Sequence, residues 1–419
     1  MTISHSHPDD ADRHIRPRTG RALWLFWHRQ LALVFGIFFV LAGLTGSASQ
    51  YLDGLDRFLN PSLVLVPPQS TPMLQADAWL ANLKTAYPRR YGNWRLEYPK
   101  SPDTPVTAWF ERPAESADED WAPLMVSLNP WTGAIIAERF WGKTTVSRLH
   151  NWHGQLWLGT SGQRVVGLLA LVITCILLSG LWLWRPRRLL NWSAYTVKPY
   201  CGDRRRLFDL HRLLGFYSAA ILLPVCLSGF LLAYPEILGG QDDIGPDHNA
   251  FRRNVKSTAV AVNPINIAQA VLLARGLFPH ARLVAVTPPA RKEDTFLVEF
   301  AQQGSAHLPA AVWIDQYSGQ IREVYNASHD GSDQFRHQWI HALHTGNLWG
   351  EAGRFLWLLA GAAPLLLFAT GLLHWLHKRG WRYPHDRHDA ICHALRTALA
   401  CLLHGFHRML RQCRNWRQP

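Results

Sequence analysis

The chain is poor in charged residues and has no CxxC cysteine motif. Only 17% of its 419 residues are charged, whereas 20 residues are tryptophan, a composition that argues against a soluble protein. Six cysteines are present, but no two stand in a CxxC pair, which disfavours a thiolate site for zinc or an iron–sulfur cluster. None of them falls in the long polar segments at about 53–148 and 235–340, so no disulfide framework is expected there.

Nucleotide-binding motifs are absent as well. No GxGxxG follows a predicted strand, and no P-loop is present, so the chain offers no obvious flavin, nicotinamide or nucleotide domain of its own. If this protein moves electrons, the donor therefore has to be membrane quinol or a separate reductase.

Long apolar runs are what the chain does have. Four stand out, at about residues 31–52, 165–184, 213–234 and 355–377. Each approaches the roughly 20 residues that a helix needs to cross a bilayer. The first is too long for a cleaved signal peptide and is not closed by a convincing small-residue cleavage site. The sequence thus predicts a membrane α-helical bundle of four spanning helices.

Basic residues are concentrated in two of the segments that flank these runs. Seven lie in 185–206 against the single acidic Asp203, and nine lie in the tail from Lys378 against Asp386 and Asp389. The positive-inside rule places both termini and the 185–206 loop in the cytoplasm, and the two long polar segments outside. The net charge of +13 is then balanced by anionic membrane lipid and requires no nucleic-acid partner.

Paired histidines occur in two stretches that repeat each other. LHNWHGQLWLG begins at Leu149, and IHALHTGNLWG begins at Ile340. His150 therefore matches His341 and His153 matches His344, at an offset of 191. A second pair lies further upstream, where His28 and His211 each open an apolar run in a similar His-Arg context.

The two long polar segments also repeat each other. Each starts with a predicted helix that ends in proline, at Pro88 and Pro279. Short runs with strand character follow each helix, and the last two of each set are joined by a glycine-containing turn, at 129–133 and 315–319, which predicts a hairpin. The predicted strands are 94–98, 106–111, 124–128 and 135–140 in the first segment, and 283–287, 295–300, 311–314 and 321–325 in the second.

The chain as a whole reads as two copies of one module, made of a helix, an external α+β domain, a histidine pair and a second helix. Copies with the same in/out orientation are related by a pseudo-two-fold axis along the membrane normal. The predicted divisions are 1–21 (cytoplasmic), 22–52 (helix 1), 53–148 (external domain 1), 149–185 (histidine motif and helix 2), 186–206 (basic loop), 207–234 (helix 3), 235–338 (external domain 2), 339–378 (histidine motif and helix 4) and 379–419 (cytoplasmic tail).

The histidines fall at two depths of the predicted bundle. His28, His211 and His374 lie near the cytoplasmic ends of helices, whereas the four motif histidines lie near the outer ends. One reading is that each is only a polar residue at the lipid headgroups. The other is that they bind metal or haem, because ionisable groups near a membrane core are costly without such a role. Matched positions in both copies favour ligation. Opposed histidines at each depth would make two bis-imidazole haem sites, and a single haem is too small to bridge a core of roughly 30 Å.

Several of these motifs resemble those of PepSY-associated transmembrane proteins. The resemblance rests on the two His-Arg helix openings, on Leu343-His344-Thr345-Gly346, on the Thr45-Gly46 and Ser228-Gly229 steps, and on the Trp-Thr-Gly and Tyr-Ser-Gly hairpins, and it covers roughly residues 22–380. It implies two periplasmic PepSY-like domains on a bundle in the bacterial inner membrane. It also favours His153 and His344 as ligands, with His150 and His341 facing substrate or a haem propionate.

The best understood members of that family are ferrisiderophore reductases that carry haem b. The resemblance therefore implies a di-haem reductase that passes electrons to a ferric siderophore outside, with Fe(II) released for uptake. The alternative is a non-enzymatic membrane protein that binds a periplasmic partner or inhibits a protease. Apolar residues at helical spacing in the tail, accompanied by arginines, predict a basic amphipathic helix on the cytoplasmic membrane face.

Overall fold

A computed structural model describes residues 20–119, 121–186, 194–198, 202–238, 254–258, 263–302, 309–326 and 333–380. The predicted amphipathic tail helix and almost all of the predicted N-terminal segment lie outside the described residues, as does part of the basic loop. The described chain has two parts, a bundle of long apolar helices and an antiparallel sheet that packs at one end of the bundle.

The four predicted membrane spans are confirmed as helices that are long and apolar enough to cross a bilayer. All of them begin before the apolar runs that predict them, because the polar residues that precede each run continue the helix. The spans are α1 (Gly20–Ser49), α6 (Gly159–Trp184), α7 (Asp203–Ala233) and a fourth made of a 3-10 turn (Asn347–Trp349), α10 (Gly350–Ala360) and α11 (Ala363–Lys378).

The fourth span is broken where it crosses α1. A Cβ placed on Gly361 would lie 2.7 Å from the carbonyl oxygen of Gly43 and closer still to Ser47 Oγ, so only glycine permits this approach. Pro364 lies in the first turn of α11, where its missing N–H costs no helix hydrogen bond. The Ser47 hydroxyl donates to the Leu358 carbonyl at 3.1 Å and ties the two helices together at the break.

The histidine motifs form short helices of their own, which differs from their predicted place at the ends of spans 2 and 4. They are α5 (Thr145–Gln155) and α9 (Asp333–His344). Leu156 and Trp157 follow α5 with φ of 51° and 58°, and Gly346 follows α9 with φ of 73°. These left-handed residues end each short helix and turn the chain before the next span begins. The motif histidines are thereby carried on helices that pack against α1 and α7.

The two long polar segments form one sheet of eight strands in the order β4-β3-β2-β1-β5-β6-β7-β8. The strands are β1 (Trp94–Glu97), β2 (Val106–Phe110), β3 (Leu124–Leu128), β4 (Ile135–Phe140), β5 (Arg282–Thr287), β6 (Thr295–Ala301), β7 (Pro309–Asp315) and β8 (Ile321–Asn326). All eight lie within two residues of their predicted bounds. The predicted glycine turns close both hairpins, with φ of 69° at Gly133 and 70° at Gly319.

The two halves of this sheet share one core instead of forming two separate domains. α4 (Ala76–Ala86) and α8 (Ile267–Leu277) lie on the same face and contribute to one cluster of buried residues from both halves. The remaining short helices are α2 (Leu52–Leu59), α3 (Pro61–Val64) and the 3-10 turns Ala114–Ser116 and Pro235–Leu238. α2 follows α1 directly and links the bundle to the sheet.

A buried ion pair crosses the junction between the halves. β1 and β5 pair through only two residue pairs, and Arg95 on β1 reaches past β5 to Glu299 on β6. Its Nε and Nη2 donate to the two carboxylate oxygens at 2.8 and 2.9 Å. Burial lowers the pKa of Arg95, but the carboxylates of Glu299, Glu97 and Glu111 together outweigh burial, and the net shift of that pKa is upward.

Replacing Glu299 by alanine is expected to destabilise the sheet by about 3 kcal/mol, because the buried Arg95 guanidinium loses both hydrogen bonds to the Glu299 carboxylate. Arg95 is then left with the more distant Glu97 carboxylate, at 3.8 Å. Thermal or urea unfolding followed by tryptophan fluorescence measures the change. Glu115→Ala is the matched control, since Arg90 holds Glu115 in the same two-bond geometry at a site where the glutamate side chain is 53% exposed. That change should cost less than about 1 kcal/mol. Equal losses in the two variants would contradict the structural role of the buried pair.

Candidate functional site

One arrangement occurs four times in the bundle. On each spanning helix a backbone carbonyl, a serine or threonine three residues later and a glycine one residue further on form a seat for a histidine ring from another helix. The four seats are Ala42/Thr45/Gly46 on α1, Ile176/Ser179/Gly180 on α6, Val225/Ser228/Gly229 on α7 and Leu367/Thr370/Gly371 on α11. The spacing follows from the helix, because residues three and four apart lie on one face.

His28 and His211 face each other at the end of the bundle away from the sheet, and we call them the far-end pair. Their ring centroids are 6.4 Å apart. His28 extends from α1 to α6, where its Nδ1 lies 3.1 Å from the Ile176 carbonyl and 2.8 Å from Ser179 Oγ. A Cβ on Gly180 would lie 3.1 Å from the ring, so the glycine leaves room for it.

His211 repeats these contacts in the other half. It extends from α7 to α11, and its Nδ1 lies 2.9 Å from the Leu367 carbonyl and 3.2 Å from Thr370 Oγ1. A Cβ on Gly371 would approach the ring to 3.0 Å. The far-end pair is therefore symmetric in its contacts as well as in its sequence positions.

His153 and His344 face each other at the end of the bundle next to the sheet, and we call them the sheet-end pair. Their ring centroids are 6.1 Å apart. His153 comes from α5 and seats on α1, with its Nδ1 3.4 Å from Thr45 Oγ1. Gly46 lies directly beneath the ring, where a Cβ would come within 2.7 Å of it.

His344 completes the sheet-end pair from α9 and seats on α7. Its Nδ1 lies 3.0 Å from the Val225 carbonyl and 3.2 Å from Ser228 Oγ. A Cβ on Gly229 would lie 3.0 Å from the ring. The two pairs thus use the same seat at opposite ends of the bundle.

The seats select one tautomer of each ring. A carbonyl oxygen can only accept, so the Nδ1 atoms of His28, His211 and His344 carry the proton and donate it. Nε2 is then the nitrogen with a free lone pair, and it is the natural metal ligand when Nδ1–H is bonded to a backbone carbonyl. His153 likewise forms a hydrogen bond with the backbone carbonyl of Ala42, so each pair offers two neutral imidazole ligands that face each other across a narrow gap.

The other predicted histidines are not seated in this way. The His150 ring packs against Trp141 at 5.7 Å, and His341 is exposed on α9. His374 directs its Nδ1 to the Arg204 carbonyl at 3.1 Å and its ring against Phe208 at 5.5 Å. Of the seven predicted histidines, the structure brings four together in two facing pairs.

The number of metal-binding side chains near each histidine pair limits the kind of metal centre that the pair can hold. In the described part of the chain, no group of three or more His, Cys, Asp or Glu side chains is placed to hold a metal ion. A metal between two imidazoles would need its other donors from a group that brings them along. Each pair by itself would therefore supply two donors to such a metal.

The seats also contain residues that the sequence interpretation did not assign. Ser179 and Thr370 were not singled out, although they occupy matched positions in the two copies. The available signal was the Ser/Thr-Gly step, which occurs once in each apolar run. Reading all four steps together could have predicted four small seats on four helices.

The chain belongs to a known family. Residues 25–378 match the model of the PepSY-associated TM region, which confirms the resemblance drawn from the His-Arg openings and the Ser/Thr-Gly steps. This match extends over both histidine pairs and the whole sheet. A search of curated proteins returned no match to this chain.

Proposed function

We propose that this protein is a transmembrane di-haem reductase of the bacterial inner membrane, which passes electrons outward to a ferric siderophore and releases Fe(II). The observation that carries the proposal is the presence of two facing histidine pairs at opposite ends of one bundle. Each pair would hold one haem b. The electron donor is membrane quinol or a separate reductase, since the chain carries no recognisable flavin or nicotinamide motif.

The gap between the rings of each pair would accommodate one iron atom held by both imidazoles. With metal–nitrogen bonds of about 2.0 Å and ring centres about 1 Å behind each nitrogen, two rings on one metal have centroids about 6 Å apart. The observed separations are 6.4 and 6.1 Å. A haem supplies four equatorial donors of its own, which agrees with the pairs providing only two ligands each.

The polypeptide's contribution is to hold the ligands in place. The carbonyl and hydroxyl of each seat fix the ring orientation and keep Nε2 available, and such partners raise the basicity of the ligand. The seat glycines let each ring lie directly on the neighbouring helix. The cofactor, when bound, supplies one-electron chemistry. Each ferric ion takes up one electron, so a quinol that releases two electrons and two protons would reduce two ferric chelates.

Two sites are needed because of the span to be crossed. Eighteen residues separate His28 from Gly46 on α1, and the same number separates His211 from Gly229 on α7. At 1.5 Å per residue the two levels are about 27 Å apart along the helix axis. That distance approaches the full hydrocarbon thickness of roughly 30 Å, so one pair would serve each membrane face.

The direction of transfer depends on the orientation of the bundle. The basic flanks predict that both termini lie in the cytoplasm, which puts the sheet and the sheet-end pair outside. Reporter fusions near Asp103 and Asp294 are expected to report an external site, and fusions near Lys198 and Gln418 a cytoplasmic one. An external C-terminus would contradict this orientation and imply a further crossing.

The absorption spectrum of the purified protein tests the cofactor directly. We expect a red protein with a Soret band, about two haems per chain by the pyridine haemochrome assay, and a low-spin spectrum from two imidazoles on each iron. The second candidate function, binding of a periplasmic partner or inhibition of a protease, requires no haem. A colourless protein that stays colourless after haem is supplied during expression would reject the reductase.

A further inference from the structure

A cavity of about 510 Å³ lies between the first half of the sheet and the bundle. Its roof is the face of the sheet opposite α4, and its other walls come from α2 and from the start of α5. Thr144, which caps α5, lines it together with Val146 and Ser147 of that helix, and His153 lies only six residues beyond Ser147. The cavity therefore ends about 9 Å, along the helix axis, from a member of the sheet-end pair.

Large buried side chains fill the corresponding face of the second half of the sheet. The same β-bulge occurs after Ser127 and after Trp313, which fixes the correspondence of β3 with β7 and of β4 with β8. Ser127 then matches Trp313 and Arg139 matches Tyr325. Trp313 is 2% exposed and Tyr325 is fully buried.

A short segment seals this filled face. Val255 packs against the cluster formed by Leu297, Ala311, Trp313 and Tyr325. The Thr295 hydroxyl donates to the Val255 carbonyl at 3.3 Å, which holds the segment in place. Leu297 is the cross-strand partner of Trp313, and Thr107 is the cross-strand partner of Ser127. Leu297 therefore matches Thr107 in the first half. At three matched positions the second copy thus has Leu297, Trp313 and Tyr325 where the first has Thr107, Ser127 and Arg139 beside the cavity. At two others the larger residue is in the first copy, since Trp109 and Met125 match Glu299 and Ala311.

The wall of the cavity is aromatic on the side that faces the bundle. Trp141 lies 6.0 Å from Trp109 and 5.7 Å from Trp121, measured between ring centroids. On its other side Trp141 packs against His150 and donates from Nε1 to Asn151 Oδ1 at 3.2 Å. An aromatic wall therefore runs from the cavity to the helix that carries His153.

The charges that line the cavity balance one another. Four are basic (Arg57, Arg95, Lys100, Arg139) and four are acidic (Asp53, Asp56, Glu97, Glu111). Arg139 pairs with Asp56 at 2.7 Å and Lys100 with Asp53 at 2.8 Å, while Arg57 pairs with Asp103 outside the lining. A strongly charged ligand would meet as many repulsive as attractive groups, whereas an uncharged polar ligand can bond to both kinds.

We propose that this cavity beside the first half of the sheet is the binding site for the ferric chelate, and that it takes a chelate of no net charge. The assignment rests on the proposed reductase function. Its volume falls within the range of about 300–1,000 Å³ typical of small-molecule sites. A ferric ion with three singly charged hydroxamate groups is neutral and presents amide and hydroxamate oxygens, whereas a tris-catecholate carries three negative charges.

Binding can be measured without electron transfer by using gallium(III), which has the charge and size of Fe(III) but is not reduced. Isothermal titration calorimetry of the oxidised full-length protein with gallium tris-hydroxamate should give saturable binding. Two single substitutions, Ser127→Trp and Arg139→Tyr, each introduce the residue found at the matching position in the second half. Each should weaken the binding of gallium tris-hydroxamate at least about tenfold by filling the cavity. Thr85→Trp, on the exposed face of α4, is the control and should bind as the parent does.

Ser127 is buried, so a third variant guards against misfolding. Thr107→Leu adds little volume and introduces the leucine found at the matching position 297. Like the other two variants, it should lower the affinity for gallium tris-hydroxamate. Variants are compared only when haem content and thermal unfolding match the parent. Equal affinity in all three correctly folded variants, or no binding of gallium tris-hydroxamate by the parent, would overturn the assignment. Tighter binding of gallium tris-catecholate than of the hydroxamate would overturn the charge argument.

These outcomes are separable from failure of the proposed function. Cavity-dependent binding by a protein without haem would keep the site and reject the reductase. A protein with two haems that reduces ferric tris-hydroxamate equally well with Trp or Ser at position 127 would keep the reductase and place its substrate elsewhere.

Discussion

The His344→Ala protein is expected to contain one haem per chain instead of two. The change removes one of the two imidazoles of the sheet-end pair and leaves the far-end pair intact. The remaining haem should keep a low-spin spectrum, and reduction of ferric tris-hydroxamate should fall by more than about tenfold, the scale of losses seen when even the outer partners of a metal ligand are removed. The pyridine haemochrome assay and the reduced-minus-oxidised spectrum measure the haem content, and a stopped-flow assay measures the rate of chelate reduction.

His341→Ala provides the matched control. It lies one turn earlier on the same helix and is exposed, so its removal should leave both haems in place. His153→Ala should reproduce the spectrum of His344→Ala, because the two rings face each other at 6.1 Å and would bind one iron. Two haems with an unchanged low-spin spectrum in His344→Ala would remove His344 from the ligand set.

The His211→Ala protein is expected to lose the haem of the far-end pair and to keep the other. Dithionite should still reduce the remaining haem, and ferric tris-hydroxamate should still reoxidise it, because both reach the sheet end from solution. Turnover driven by a quinol analogue or a cytoplasmic reductase should fall by more than about tenfold. The contrast between the two reductants distinguishes a broken electron path from a misfolded protein.

His374→Ala is the control for this second change. His374 lies near the same end of the bundle, but its ring is held by the Arg204 carbonyl and Phe208. Its replacement should leave both haems and donor-driven turnover in place. Normal donor-driven turnover in both His28→Ala and His211→Ala would reject the two-haem path and leave a single sheet-end haem or no electron path.

The pairing of histidines was predictable from the duplication. Because copies of one module are related by a two-fold axis, matched residues such as His28 and His211 are brought to opposite sides of that axis and can meet. The choice of His344 over His341 was favoured by the family resemblance but could not be derived from spacing. Residues three apart lie on nearly the same helix face, and only the position of the Ser228-Gly229 step on α7 separates them.

The union of the two external units into one sheet could not be predicted. Each unit has alternating strands and a glycine hairpin, which are local signals, but nothing in β1 alone states that its free edge pairs with β5. That pairing joins residues about 190 positions apart through two residue pairs, and the Arg95–Glu299 ion pair that supports it connects charges with no recognisable spacing.

The sequence by itself determined the features that depend on neighbouring residues. Apolar runs of bilayer length made the spans, glycine at positions of positive φ closed the hairpins, and the repeated motifs set the two-fold plan. Tertiary structure alone decided which histidine ring lies in each seat, the continuous sheet and the cavity beside its first half. Those features depend on which distant surfaces meet and on the size of the side chain at matched positions such as Ser127 and Trp313. Contacts between residues far apart in the chain leave no periodic pattern in the sequence.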